Sequence, residues 1–255
     1  MSERISRIKQ KFEQAGSREL PGLYEKYAGD SRSGVKALIL KYRRREEKLL
    51  AEQLRLKEMR KFELKYEQYA YICGIDEVGR GPLAGPVVAG AVILPRNCEI
   101  LYINDSKKLS AKKREELYKE IMEKAVATGI GMAGPARIDE INILQATYEA
   151  MRDAIANLDP RPELLLNDAV TIPEVTIPQV PIIKGDAKSI SIAAASIIAK
   201  VTRDRLMKEY DKILPGYGLA ENKGYGTAAH IEALKRLGPT PIHRACFIKN
   251  FDIAI

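Results

Sequence analysis

An apolar run from Tyr71 to Ile75 ends in two adjacent carboxylates, Asp76 and Glu77. Val78-Gly79-Arg80-Gly81 follows at once, and then a second apolar run from Pro86 to Leu94. Burying two neighbouring acids at a strand end is costly unless a cation holds them. Hard divalent ions such as Mg²⁺ and Mn²⁺ do this through oxygen ligands. The glycines let the backbone approach a ligand closely, and the arginine between them offers donors to an anionic or hydroxyl-bearing one. The segment reads as a metal site beside a nucleic-acid reader, built on a hairpin of two buried strands.

The rest of the chain supplies helices around that hairpin. Ser110–Lys124 reads as a helix capped by Ser110, Thr128–Ala136 as a strand, and Asp139–Leu158 as a helix capped by Asp139. Leu164–Asp168 and Val180–Ile183 read as short buried strands. Asp186–Leu214 and Thr227–Leu237 read as helices. Strands come first and then alternate with helices, which gives a mixed-sheet α/β body with helices on its faces. Before it, Gly16, Pro21-Gly22 and Gly29 break the first residues into short helical pieces. Val35 to Tyr69 then runs without Gly or Pro, with Tyr42, Leu49 and Leu56 at seven-residue spacing. This predicts one long, mostly polar helix with a thin apolar stripe. The domain boundary is placed at residue 68: a helical extension over 1–68 and a body over 69–255.

Charge separates the same two parts. Residues 1–70 hold 18 Lys and Arg against 11 Asp and Glu, and the remainder holds 24 against 23. A basic segment on a nearly neutral body suggests an arm that grips polyanions; a solvated helix face is the alternative. Cys73, Cys98 and Cys246 are too few and too scattered for a disulfide framework or a zinc site, and are expected to be buried reduced thiols. Met1 to Phe12 is charged, and no apolar run approaches a membrane span, so a cytoplasmic, soluble protein is expected, with a monomer as the default. Only His230 and His243 occur, which excludes a His-rich metal site and puts acid–base work on carboxylates.

Further acids and loops bear on the same chemistry. Strand neighbours face opposite ways, so Asp76 and Glu77 serve one site only if the strand end twists, or if one acts through its carbonyl or a second ion. Asp168 ends an apolar strand, where α/β sheets place ligands, although a turn Asp would look the same. Asp186, in Lys184-Gly185-Asp186, reads alone as a helix cap. Together these acids suit a two-metal phosphodiester site, with one ion activating water and the other stabilising the leaving oxygen. The loop Asn104–Ser110, holding Ser106, Lys107 and Lys108, can take a phosphate or be plain surface. Ser189 begins a run of small residues that suits close packing of a helix on a sheet; near a helix N-terminus it can also touch a phosphate. Tyr225, between Gly224 and Gly226, can stack on a sugar or base. His243-Arg244 either caps a last helix or meets phosphate.

Five motifs stand in an order that resembles bacterial ribonuclease HII: Asp76-Glu77-Val78-Gly79-Arg80-Gly81, Asp105-Ser106-Lys107-Lys108-Leu109-Ser110, Lys184-Gly185-Asp186, Asn222-Lys223-Gly224-Tyr225-Gly226-Thr227 and His243-Arg244. The resemblance covers about residues 70–248, and the basic start resembles the extension of a Bacillus-like subgroup. It implies a ribonuclease H-like mixed sheet with a helical C-terminal part. The implied activity is metal-dependent endonucleolytic cleavage of RNA in RNA–DNA hybrids, with incision 5′ of a single ribonucleotide in duplex DNA, as in ribonucleotide excision repair. It leaves 3′-hydroxyl and 5′-phosphate ends and uses two Mn²⁺ or Mg²⁺ ions. By position, Asp76, Glu77, Asp168 and Asp186 are the implied catalytic and metal-binding acids. Gly79, Arg80 and Gly81 would read the 2′-hydroxyl, Arg80 largely through its backbone amide, and Tyr225 would pack on the following deoxyribose. Ser106, Lys107, Lys108, Lys188 and Ser189 are the implied substrate contacts. Two positions depart from the family pattern: Asn167 where an apolar residue is expected, and Leu219 where an aromatic is. A hybrid-binding module without activity and a junction resolvase are the rival readings. The first would need a lost acid, and the Gly-Arg-Gly turn and Tyr225 argue against the second.

Overall fold

A computed structural model describes residues 3–251 and divides the chain into two compact units, Met1–Lys57 and Glu58–Ile255. In the first unit, α1 (Ile5–Gln14), α2 (Leu20–Tyr27) and α3 (Ser33–Met59) enclose a small core of their own. Phe12 sits at its centre, its ring within 5.1–6.2 Å of Tyr24, Tyr27 and Tyr42, with Ile8, Val35 and Leu38 around it. The helix expected to run unbroken to Tyr69 instead ends at Met59, and α4 (Lys61–Lys65) follows after Arg60 leaves helical geometry. The break lets Phe62, Tyr66 and Tyr69 turn onto Leu164, Leu166 and Ile192, so these aromatics belong to the second unit.

The second unit is built on a five-stranded mixed sheet in the order β3-β2-β1-β4-β5. β1 (Ile72–Val78) pairs antiparallel with β2 (Val87–Ile93), the expected hairpin, and β2 with β3 (Ala127–Ala133). β1 pairs parallel with β4 (Leu164–Asp168), and β4 with β5 (Gln179–Ile182). Every residue of β2 is buried, which suits a strand covered on both faces. On one face α6 (Pro135–Ala156) packs through Ala146, Ala150 and Ala154 against Cys73, Ile75, Ala89 and Ala91. On the other face lies α7 (Ile190–Ile213).

That second contact is unusually close. A Cβ on Gly74 would stand 2.1 Å from the carbonyl carbon of Ser191, and one on Gly90 2.5 Å from the carbonyl oxygen of Ala195. Small residues from Ser191 to Ser196 therefore lie directly on small residues of β1 and β2, a packing that no larger side chain permits. The remaining helices are α5 (Ala111–Lys124), capped by Ser110 as expected, α8 (Leu219–Asn222), α9 (Ala228–Leu237), capped by Thr227, and α10 (Ala245–Ile248).

Three local expectations are corrected. Asp139 does not cap its own helix: α6 starts at Pro135, and the Asp139 carboxylate accepts from the amides of Ala245 and Cys246, capping α10 instead. Asn142, at φ 67°, interrupts α6 and caps its second half through Leu144 N–H and Gln145 N–H. Asp186 likewise is no helix cap, since it lies in a 3-10 turn, Gly185–Ala187, and Ser189 caps α7. Cys73 and Cys98 are buried thiols, but Cys246 is exposed. Leu219 is fully buried among Tyr217, Met207 and Leu234, so its departure from an aromatic touches packing alone. Among the described residues no helix is long and apolar enough to cross a membrane.

Candidate active site

Strand alternation assigns the acids to faces. In β1, Cys73 and Ile75 face α6 and Gly74 faces α7, so Asp76 lies on the α7 side. In the neighbouring parallel β4, Leu164 and Leu166 lie on the α7 side with Ile192, so Asp168 does too. Ile75 pairs with Asn167, which puts Asp76 and Asp168 side by side at the carboxyl ends of adjacent strands. Asp186 arrives from the turn that leads into α7. The three aspartates offer oxygens that all lie within 4.8 Å of one another.

Glu77, on the opposite parity, stands outside this tight group. Its carboxylate lies 3.3 Å from the Arg80 guanidinium. Its charge still reaches the others. Burial, then the neighbouring charges of Glu77, Asp168 and Asp186, push the Asp76 carboxyl well above the usual carboxylate range. Burial also raises Glu77, helped by Asp168 and opposed by Arg80 and Lys107. Asp186 is raised by burial and then by Asp105 and Asp168. Such a set of hard oxygens, held together against mutual repulsion, fits a hard divalent cation. Asp76, Asp168 and Asp186 are the direct candidates to hold it, with Glu77 at the rim.

The loop after β2 supplies the counter-charge. Lys107 follows buried Ser106 in a 3-10 turn, and Arg114 fastens that turn by donating to the carbonyls of Ser106 and Leu109. Burial works to lower the Lys107 ammonium, but Asp76, Asp105, Asp186 and Glu77 overcome it and raise its pKa. Lys108 and Lys188 are exposed. Ser189 is not available as a phosphate contact. It is fully buried, its hydroxyl donates to Glu63 Oε1 at 2.6 Å, and it accepts from Ile192 N–H. Ser191 donates to the same Glu63 oxygen through both Oγ and N–H, so a carboxylate already fills the start of α7.

Gly79, at φ 91°, turns the chain out of β1, and Arg80 and Gly81 are exposed. Tyr225 is 41 % exposed on a loop tied to the same region, because Leu83 N–H donates to the Gly224 carbonyl at 2.8 Å. His243 and Arg244 are buried and meet backbone and side chains of this chain. Asn167 turns away from the acids. Its side-chain amide donates to the carbonyl of Val170 and to Gln179 Oε1, bracing the β4–β5 connection on the α6 side. Sequence reasoning missed Asp105 as a neighbour of Asp186, Glu63 at the head of α7, and Arg203, which lies mid-helix with nothing in its surroundings to mark it.

Fold and site define a metal-dependent nuclease of the ribonuclease H class, with its acids at the carboxyl ends of β1 and β4. The comparisons with known proteins narrow this. The ribonuclease HII family model matches residues 73–250, and the ribonuclease HII N-terminal domain matches residues 4–67. The ribonuclease HII of Lachnoclostridium phytofermentans is 69% identical over 250 residues, 98% of each chain. Among solved structures, ribonuclease H2 of Pyrococcus horikoshii aligns with a TM-score of 0.59 at 28% identity, covering 71% of this chain and 97% of that one. The RNase HII of Archaeoglobus fulgidus, solved in complex with PCNA, aligns at 0.61 and 29%, covering 72% and 98%. The chain belongs to the ribonuclease HII family. It is therefore an enzyme, a ribonuclease H that acts on RNA–DNA hybrids.

Proposed function

We propose that this enzyme also incises duplex DNA on the 5′ side of a single embedded ribonucleotide, leaving 3′-hydroxyl and 5′-phosphate ends, as the entry step of ribonucleotide excision repair. The observation that carries the reading is the continuity of reader and acids. Gly79-Arg80-Gly81 begins two residues after Glu77, and the Leu83–Gly224 hydrogen bond joins that turn to exposed Tyr225.

Asp76, Asp168 and Asp186, with Glu77, would hold two Mn²⁺ or Mg²⁺ ions, which supply activation of water and neutralisation of the leaving oxygen when bound. The chain's own residues do the selecting. The backbone amides of Arg80 and Gly81 donate to the 2′-hydroxyl, the group that separates a ribonucleotide from its neighbours. Tyr225 packs on the following deoxyribose and sets which phosphate faces the acids. Lys107, whose positive charge those acids favour, draws the scissile phosphate in, and Lys108 and Lys188 meet flanking phosphates. The basic first unit grips the duplex as a monomer's arm, adding affinity without touching the reacting atoms.

Replacing the lone ribonucleotide by its 2′-fluoro analogue tests the selecting role. Cleavage should fall by about a hundredfold or more while the analogue duplex still competes for the enzyme. Equal cleavage of the two would refute reading through the 2′-hydroxyl.

A further inference from the structure

Two arginines with no exposed surface stand behind the Gly-Arg-Gly turn. Arg244 donates to the carbonyls of Gly79 at 2.5 Å, Arg80 at 2.9 Å, and Gly85 at 2.8 and 3.0 Å. Arg203, from the middle of α7, donates to the carbonyls of Pro86, Ala84 and Lys223, each at 2.9 Å. All six acceptors are neutral backbone. Among the described residues no carboxylate lies within ion-pair distance of either guanidinium. Burial, and then the charge of Arg203, push Arg244 down to about 10. Burying two like charges this way is expensive, and packing alone is better served by apolar side chains. The arrangement does something an apolar core would not: it orients peptides.

In a trans peptide the carbonyl and the following N–H point in opposite directions. The Gly79 carbonyl faces Arg244, so Arg80 N–H faces away from the interior. The Arg80 carbonyl faces Arg244 too, so Gly81 N–H also faces outward. Neither amide has an acceptor among the described residues. A Cβ on Gly81 would meet nothing within 4 Å, so the α-carbon of this exposed residue borders open space. The result is a pair of adjacent free donors three and four residues after Glu77, of the kind that together hold one oxygen. Arg203 completes the frame. A Cβ on Gly79 would stand 2.3 Å from its Nε, so Gly79 is the residue that lets Arg203 lie against the turn. Through the Lys223 carbonyl, Arg203 ties the Tyr225 loop to the same frame.

We propose that Arg244, backed by Arg203, is a positioning residue that determines specificity: it fixes the outward orientation of the Arg80 and Gly81 amides and couples them to the Tyr225 loop. This rests on the reading of those amides as the sensors of the 2′-hydroxyl. Lysine keeps the charge but offers its three donors from a single nitrogen, without the planar fork by which Arg244 reaches three separate carbonyls.

The test uses the full chain with Mn²⁺. Three quantities are measured for wild type and Arg244→Lys: kcat/KM on a duplex with one ribonucleotide, the inhibition constant of the all-DNA duplex of the same sequence, and the rise in Tm on adding Mn²⁺. For Arg244→Lys, kcat/KM should fall roughly tenfold or more, the loss expected for a misaligned pair of hydrogen bonds. The all-DNA inhibition constant and the Mn²⁺ response should stay within about twofold, since neither uses these amides. A fall in all three together would mean structural damage only and would overturn the proposal, as would unchanged kcat/KM. If Arg244→Lys does not fold, Arg203→Lys carries the same expectations. Hydrogen exchange on the wild type is independent of folding defects: the Arg80 and Gly81 amides should exchange freely in the free enzyme and be protected by the ribonucleotide duplex but not by all-DNA. Protection in the free enzyme overturns the orientation. A wild type that cannot tell the two duplexes apart overturns the underlying functional reading instead.

Discussion

The Gly185 amide donates to Asp168 Oδ1 at 2.7 Å, so the residue immediately before Asp186 is fastened to the acid at the end of β4. One hydrogen bond thus sets the spacing of two carboxylates from different elements. Asp76 is held in a similar way, its Oδ1 accepting from Glu77 N–H at 2.8 Å. These bonds survive replacement of carboxylate by amide, which separates charge from position.

Asp76→Asn and Asp168→Asn should therefore fold while losing cleavage, by on the order of a thousandfold or more. Asp76 carries the raised pKa, so removing its charge relieves repulsion. Tm without metal should rise or hold, and the increase in Tm on adding Mn²⁺ should shrink. Thermal melts with and without Mn²⁺, beside a cleavage assay, check this. Normal turnover by Asp76→Asn would sink the metal assignment.

Gly74→Ala should be among the most damaging single-methyl changes in the chain. Its Cβ would strike the Ser191 backbone at 2.1 Å, and backbone cannot rotate away as a side chain can. Overpacking of this kind costs about 1–3 kcal/mol, occasionally more. The displaced element is α7, whose approach carries Asp186, so metal affinity should fall with stability. Urea melts and Mn²⁺ titration measure both; a variant with wild-type values in each would contradict the close contact.

The extension offers a contrast of two truncations. Removing residues 1–57 should weaken substrate binding and flatten its salt dependence, with kcat little changed. Removing 1–68 also strips Glu63 from Ser189 and Ser191 and Phe62 from the sheet, so it should lower stability as well. Equal melting temperatures for the two truncations would contradict the part given to α4.

The histidines predict an acid limit. Thr240 N–H donates to His243 Nδ1, which leaves the His243 proton on Nε2, facing His230 Nε2 at 3.1 Å, and His230 Nδ1–H donates to the Tyr225 carbonyl. A second proton on either ring sets two donors against each other. Burial, and then His230, push His243 down to about 4, and burial lowers His230. In the unfolded chain both titrate near 6.5. The unfolded state therefore binds more protons between these values, and stability from the pair, complete above about pH 7, is lost as pH falls from about 6.5 to about 4. Titration of the ring resonances by NMR should give a His243 midpoint near 4; a midpoint at or above 6.5 would contradict the chain of bonds.

Much of this was legible because burial leaves periodic traces. The β1–β2 hairpin, the apolar β4 and the Ser110 and Thr227 caps all follow from local pattern, and Asp76 and Asp168 follow from acids at the ends of apolar runs. What was illegible depends on contacts between distant segments. Asp139 looked like a cap for its own helix, yet it caps α10 more than a hundred residues on. Ser189, a phosphate contact by the family resemblance, donates its hydroxyl to Glu63, 126 residues away in the chain. Arg203 sits among ordinary helix residues, and only the carbonyls converging on it, brought there by tertiary folding, reveal its part.

In the proposed function the acids and the Gly-Arg-Gly turn act together to cut at a lone ribonucleotide. The most direct measurement maps the products of an end-labelled DNA duplex holding one ribonucleotide, with Mn²⁺, with Mg²⁺ and with chelator. A single cut on the 5′ side of that ribonucleotide is expected, present with metal and absent with chelator. No cut there, beside cleavage of a longer RNA–DNA hybrid under the same conditions, would contradict the proposed function.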